Sequence, residues 1–299
     1  MFQLARRRLR VTIASEVWRS TMRYVSIVTA VIAGILAGGD LIGAAAPSQK
    51  PAAANKQTVP SVDVELIIAV DVSYSMDLDE LAVQREGYAQ AIVSKEFLQA
   101  LGSGPTNKIS VTYFEWSASS DQKIIIPWRV IDGPEAADAV ANEIMNTPVR
   151  RGSRTSISGA ILFAIPLFDE DPYQGLRRVI DISGDGPNNN GPPVTPTRDE
   201  ALGRGIVING LPIMVREPSY STTDIDNLDL YYEDCVIGGP GSFVVPIKDR
   251  ERFKEAIRSK LIQEVAGRTP RRPVVPASDT QPRVNCMIGE KLWQDRWGR

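Results

Sequence analysis

A run of β-forming apolar residues near the start of the chain's body constrains the fold most. Residues Val64–Val70 are almost all apolar, and the run ends at Asp71. A run this short, without the alternation of a half-exposed strand, is typical of a strand buried on both faces of a parallel sheet. A second run of this kind lies at Arg177–Ile182. We therefore expect these strands to lie between layers of helices.

Helical and strand-like patterns alternate around these two runs. A helix is predicted from Leu78 to Leu101, because Asp77 can cap it and Glu80, three residues later, completes a capping box. The other predicted elements are strands at Lys108–Trp116, Lys123–Val130 and Gly205–Leu211, and helices at Pro134–Met145, Ser156–Phe168, Asp199–Arg204 and Arg250–Ala266. This alternation predicts an α/β fold: a doubly wound, mostly parallel sheet with helices on both faces.

The residue composition excludes several classes of chemistry. The 299 residues include no histidine and two cysteines, Cys235 and Cys286. Without histidine there is no serine–histidine or cysteine–histidine catalysis, and nearly every zinc or haem site built on imidazole is excluded. Two cysteines are too few for a metal site with four thiolates. The formal net charge of −2 argues against nucleic acid as a partner. Coordination or catalysis must therefore rely mainly on oxygen.

The first 46 residues resemble an export segment. Six arginines precede an apolar run from Tyr24 to Gly39, and small residues follow, as in a secretory signal. The run has about 16 residues, fewer than the roughly 20 that span a bilayer comfortably, so a cleaved signal is favoured over an uncleaved anchor. Both interpretations predict an exported protein, periplasmic or extracellular, with membrane contact only through this segment if it is not cleaved.

The chain is predicted to have four parts. Residues 1–46 are the signal peptide or anchor, 47–60 a Pro- and Ala-rich linker, 61–266 the α/β domain and 267–299 a C-terminal tail. The tail is expected to be an appendage rather than a second domain. An oxidising compartment makes a disulfide between the two cysteines plausible, but the sequence leaves open that both are free thiols.

Oxygen-bearing side chains follow two of the predicted strands and precede one helix. The first strand ends in Asp71, with Ser73 and Ser75 at alternating positions after it, and Asp185 follows the Arg177–Ile182 strand. Thr155 lies directly before the helix that starts at Ser156. In open α/β sheets, ligands bind at the carboxyl ends of the strands. Two carboxylates and three hydroxyls at that edge are a ligand set suited to Mg²⁺ or Mn²⁺.

This set resembles the metal-ion-dependent adhesion site of von Willebrand factor type A-like domains. That family has Asp-x-Ser-x-Ser after the first strand, a threonine in a middle loop and a later aspartate, and Asp71, Ser73, Ser75, Thr155 and Asp185 match it in order. Stretches at 179–189, 205–213 and 234–241 are similar to a bacterial branch of exported proteins that carry such a domain and whose function is unknown. The resemblance covers roughly residues 61–266.

The resemblance implies how the site works. The two serines and the threonine would bind the metal directly or nearly so, the aspartates would act through water, and a partner's carboxylate would complete the shell. We therefore expect a binding or adhesion module, not an enzyme, that captures an acidic group of a protein or glycan through Mg²⁺ or Mn²⁺. The chain departs from many relatives at Ser183-Gly184, where they have a hydrophobic residue and a threonine; this changes the surroundings of the metal but no ligand.

Two other functions remain open. One is a structural scaffold whose metal site is not functional. The other is a metal-dependent phosphohydrolase of the haloacid dehalogenase type, which normally requires Asp-x-Asp, whereas Ser73 takes the second place here. No catalytic lysine is evident on a matching later loop.

Four further features carry weaker predictions. The stretch Asn188–Gly191 is expected to be a solvated turn. Gly238–Gly241 lacks the lysine of a phosphate-binding loop and predicts a tight loop before a last strand. Arg150, Arg151 and Arg154 either attract an acidic partner or belong to an ordinary exposed loop. The expected core aromatics are Trp116, Trp128, Tyr231 and Tyr232.

Overall fold

A computed structural model describes residues 59–215, 225–267 and 282–298, all within one unit, Lys56–Arg299. The predicted export segment at 1–46 and nearly all of the predicted linker lie outside the described residues. Within the described ranges, no helix is both long and apolar enough to cross a bilayer.

The described residues contain one five-stranded sheet. Its strands are β1 Ser61–Asp71, β2 Ile109–Trp116, β3 Gln122–Ile131, β4 Gln174–Gly184 and β5 Ile206–Pro212. The order across the sheet is β3-β2-β1-β4-β5, with β3 antiparallel to β2 and the other neighbours parallel. The predicted buried runs form β1, the central strand, and β4 beside it, and the mostly parallel sheet is confirmed.

Helices cover both faces of this sheet. They are α1 Leu78–Ile92, α2 Lys95–Leu101, α3 Pro134–Asn146, α4 Ile157–Glu170, α5 Val194–Gly203, α6 Leu228–Tyr231, α7 Phe253–Ala266 and α8 Ile288–Trp297. Alternate residues of β1 face two separate cores. Leu66 and Ile68 pack in the core with α1, α2, α3 and α7, while Ile67 and Ala69 pack in the core with α4, α5 and α6. The doubly wound α/β fold predicted from the sequence is therefore confirmed.

The single helix predicted over Leu78–Leu101 is wrong. The structure has two helices there, separated at Val93 and Ser94. The Ser94 hydroxyl donates to the carbonyl of Ala91 at 2.7 Å and accepts from the N–H of Phe97 at 3.2 Å. A serine side chain that binds neighbouring backbone groups competes with helix continuation, so it ends α1 and caps α2. The predicted capping box of Asp77 and Glu80 is present at the start of α1.

The last predicted strand is reduced to isolated bridges. Gly238, at the start of the Gly238–Gly241 loop, makes an antiparallel bridge to Ile208 of β5. After the loop, Val244 makes a parallel bridge to Gly210 of β5, and Ile247 makes one to Ile213, directly after β5. Among the described residues no sixth strand follows.

A disulfide joins the tail to the domain. Cys235, in the π-helical turn Tyr232–Val236, is bonded to Cys286, two residues before α8. The pairing that the sequence left open is thus formed in the structure. It fixes the position at which residues 282–298 meet the α/β domain.

Candidate metal centre

The loop after β1 brings three of the candidate ligands together. Asp71, the last residue of β1, accepts a hydrogen bond at 2.7 Å from the backbone N–H of Ser73. The hydroxyl oxygens of Ser73 and Ser75 lie 2.7 Å apart, and Ser75 donates to Asp185 Oδ1 at 2.6 Å. Since Asp185 follows β4, the neighbour of β1, this hydrogen-bonded chain links the carboxyl ends of two adjacent strands.

Thr155 approaches the same point on a third loop. The N–H of Gly152 donates to the carbonyl of Val72 at 2.8 Å, and Gly152 forms a parallel bridge with Ser73. Thr155 is buried, and a Cβ placed on Gly186 would lie 4.0 Å from its hydroxyl oxygen. Thr155 therefore lies beside the Asp185–Gly186 turn. The structure places all five predicted residues at the carboxyl-end edge of the sheet.

One carboxylate oxygen of this group has no hydrogen-bond partner. Asp71 Oδ2 is fully buried and makes no hydrogen bond, and burial raises the pKa of Asp71 to about 7 against the lowering effect of its hydrogen bonds with Ser73. The hydroxyl of Tyr232 is also buried without a partner. A Cβ on Gly184 would lie 2.9 Å from each of these two oxygens. Glycine at this position therefore lets both oxygens approach the backbone at the end of β4.

The oxygens present fit a small divalent cation. A buried, unpartnered carboxylate oxygen is costly unless it meets a donor or a cation. Within the described ranges, no three histidine, cysteine or acidic side chains form a group that would hold a metal. The candidate centre offers two carboxylates and three hydroxyls to a cation. Such a set leaves most of a cation's charge uncompensated and suits Mg²⁺ or Mn²⁺ with bound waters.

The asparagines after Asp185 are part of this framework. The prediction of a solvated turn at Asn188–Gly191 is wrong for Asn188 and Asn189, which are both buried. Asn189 Oδ1 accepts from the N–H of Thr155, and Asn188 Oδ1 from the N–H of Ser158, each at 3.0 Å. These amides satisfy N–H groups at the start of α4 that have no partner within the helix. The prediction failed because asparagine is frequent in exposed turns, but its side chain can also accept hydrogen bonds from backbone N–H groups near the start of a helix.

A comparison with family models shows where the chain belongs. A model described as "Protein of unknown function (DUF1194)" matches residues 61–269. The chain belongs to this family. No curated protein matches it in sequence.

Solved structures with a similar fold include a matrix protein and a pilus adhesin. Proximal thread matrix protein 1 from the mussel byssus, "with zinc occupied MIDAS motif", is 15% identical with a TM-score of 0.51, covering 69% of this chain and 48% of that one. The pilus adhesin SpaC from Lactobacillus rhamnosus GG is 12% identical with a TM-score of 0.50, covering 69% and 30%. A von Willebrand factor type A protein from Catenulispora acidiphila is 15% identical with a TM-score of 0.48, covering 69% and 43%. The alignments thus span about half or less of each of these three structures. The two with TM-scores of 0.50 and 0.51 show the fold alone.

One of the three arginines in the middle loop of this DUF1194 chain is structural. Arg150 forms ion pairs with Glu115 Oε2 at 3.2 Å and with Asp121 Oδ1 at 2.8 Å. The buried Glu115 carboxylate also pairs with Arg85. Arg150 therefore anchors the loop to the end of β2.

The other two arginines lie on aromatic rings. Arg151 is exposed, lies 5.3 Å from the ring centroid of Tyr74 and donates to the Tyr74 carbonyl at 2.6 Å. Arg154 lies 3.7 Å from the ring centroid of Trp293 in α8. Tyr74 stands between the two serines, and Arg154 directly precedes Thr155. Both arginines thus lie on the loop that carries Thr155.

Proposed function

We propose that this protein is a binding module that captures an acidic group of a partner through a divalent cation. Asp71, Ser73, Ser75, Thr155 and Asp185 would hold Mg²⁺ or Mn²⁺. The observation that carries this proposal is the buried Asp71 Oδ2 without a partner, next to the chain of hydroxyls that ends on Asp185. The bound cation would supply an electrophilic centre for a partner's carboxylate.

The burial of the individual residues supports different roles for them at the proposed metal site. Asp71 and Ser73 are buried and would hold the loop after β1 in place, while Ser75 and Asp185 are half-buried and reach the surface. The 2.6 Å hydrogen bond to Asp185 directs the Ser75 hydroxyl into the site. The two carboxylates also attract a cation to this edge of the sheet.

Binding is favoured over turnover by the chemistry of these side chains. A serine or threonine hydroxyl is a weak nucleophile unless a neighbouring base activates it. The chain has no histidine to serve as that base. Ser75 donates to a carboxylate that the proposal assigns to the metal. We therefore propose that the protein is not an enzyme.

We also propose that the protein is exported to the periplasm or the extracellular space by residues 1–46. The disulfide between Cys235 and Cys286 supports this location, because disulfides persist in oxidising compartments. The partner would then be a protein or glycan of the cell envelope or the surroundings.

Titration calorimetry of the full chain with Mg²⁺ and with Mn²⁺ tests the metal site. We expect saturable binding of one ion to the wild type and at least a tenfold weaker affinity in Asp185→Asn. Asp79→Asn is the matched control, because it removes the same charge from an exposed side chain in the first turn of α1. A folded wild type that binds neither ion, or an equal loss in Asp79→Asn, contradicts the proposal.

A further inference from the structure

Arg154 has a backbone conformation that its residue type disfavours. Its φ angle is 73°, in the left-handed region, which residues other than glycine rarely adopt because the side chain crowds the backbone. Glycine or asparagine would adopt this conformation at lower cost. The position directly precedes Thr155, one of the candidate metal ligands. An arginine held here against its backbone preference points to a role for the side chain.

The guanidinium of Arg154 packs on an aromatic ring of the C-terminal helix. It lies 3.7 Å from the centroid of the Trp293 indole, which is a close cation–π arrangement. It makes no hydrogen bond or ion pair with any of the described residues. Arg150, four residues earlier, forms ion pairs with Glu115 and Asp121. A guanidinium stacked on a ring leaves its planar N–H edge available to a carboxylate.

The helix that carries Trp293 is anchored to the same edge of the sheet. The Asn188 amide donates to Glu290 Oε1 at 2.7 Å, and a side chain at Gly289 would collide with the Asn188 carbonyl. The disulfide at Cys286 fixes the chain before the helix. Arg283 adds ion pairs with Glu233 at 2.7 Å and Asp234 at 2.6 Å. The indole therefore has a defined position beside the loops that carry Thr155 and Asp185.

We propose that Arg154, stacked on Trp293, is a second anion-binding point, and that the ligand is an acidic peptide segment with two carboxylates. One carboxylate would bind the metal and the other the Arg154 guanidinium. This inference rests on the proposed function of the metal site. It gives the C-terminal helix, which lies beyond the residues matched by the family model, a direct part in ligand binding.

Apolar surface at the rim favours a peptide over a polymer of uronic acids. Tyr74 and Leu78, at the loop that carries Ser75 and the start of α1, are 61% and 60% exposed. Such side chains can pack against apolar side chains of a peptide, and removing apolar surface from water favours binding. A uronic acid chain has no comparable apolar groups.

Fluorescence anisotropy of the full chain in saturating Mg²⁺ tests the inference. The probes are labelled Gly/Ser-rich peptides with one aspartate, or with two aspartates at separations from adjacent to six residues. We expect the best diacidic peptide to bind about fivefold to tenfold more tightly than the monoacidic one, the value of one partly exposed charge-assisted pair. In Arg154→Gln this preference should disappear, while the affinities for Mg²⁺ and for the monoacidic peptide stay within twofold. In Trp293→Leu the logarithm of the ratio of the diacidic to the monoacidic affinity should fall by about half.

Arg151→Gln is the matched control, because it removes the same charge from the same loop but from a side chain already bonded to the Tyr74 carbonyl. It should keep the preference for two aspartates. The inference is overturned if Arg154→Gln discriminates as the wild type does, if Arg151→Gln loses the preference equally, or if a uronic acid oligosaccharide binds more tightly than every diacidic peptide. Loss of Mg²⁺ binding by the wild type would defeat the proposed function, whereas retained Mg²⁺ binding without a diacidic preference defeats only this inference.

Discussion

A buried cluster of three charges connects α7 to the middle of the sheet. Lys260, only 1% exposed, lies 2.5 Å from Asp181 Oδ1 and 2.7 Å from Glu264 Oε1. Both carboxylates are fully buried, and Asp181 belongs to β4. Burial raises the pKa of Asp181 to about 6, with Lys260 lowering it and Glu264 raising it. One cation thus faces two carboxylates.

Replacing this lysine should destabilise the protein strongly. Lys260→Met leaves two buried carboxylates without their cation, and breaking a buried pair in this way costs about 3 to 5 kcal/mol. Lys254→Met is the matched control on the same helix. It breaks an exposed pair with Glu86, whose side chains are 40% and 38% exposed, and should cost less than about 1 kcal/mol. Urea unfolding at pH 7 measures both free energies.

The cost of Lys260→Met should depend on pH in a defined direction. In the wild type, the folded pKa of Asp181 lies above its ordinary value of 3.8, so its contribution to stability is complete below about pH 4 and is lost as the pH rises through 6. Without the lysine, the pKa of Asp181 in the folded state rises further. The difference in free energy of unfolding between Lys260→Met and the wild type should therefore be smaller at pH 5 than at pH 7 by about 1 kcal/mol or more. A cost equal to that of Lys254→Met, or one that grows on acidification, refutes this reasoning.

Two other changes test the site and the tail. In Gly184→Ala the new Cβ would lie 2.9 Å from Asp71 Oδ2 and from the Tyr232 hydroxyl, so the Mg²⁺ affinity measured by calorimetry should fall at least tenfold. Gly203→Ala is the control, because nothing lies within 4 Å of its new Cβ, and it should leave the Mg²⁺ affinity unchanged. Equal affinities in both variants would show that the position of Asp71 is unimportant. Replacing Cys235 and Cys286 together by serine opens a cross-link across 51 positions and should lower the free energy of unfolding in urea by about 4 kcal/mol. A loss below about 1 kcal/mol would contradict the role assigned to this bond.

Local signals in the sequence predicted most of the fold. The apolar run of β1, the capping box at Asp77 and Glu80, and the alternation of strands with helices depend on neighbouring residues alone, and the structure contains all of them. The break at Ser94 was missed because a serine within a helical pattern is compatible with continuation or with capping. The burial of Asn188 and Asn189 was missed for a related reason, since the N–H groups they satisfy belong to a segment about 30 residues earlier.

The sequence by itself determined the chemistry available to this protein. The lack of histidine and the scarcity of cysteine restrict any metal site mainly to oxygen ligands. Polar residues after two strands and before one helix provided five candidates for it. Only the tertiary structure decided which charges meet. Three contacts depend on strand order, on the face of the sheet or helix from which each side chain projects, and on the disulfide that positions α8. They are the stacking of Arg154 on Trp293, the ion pair of Lys260 with Asp181, and the ion pairs of Arg150. These relations join residues far apart in the chain, and no local pattern encodes them.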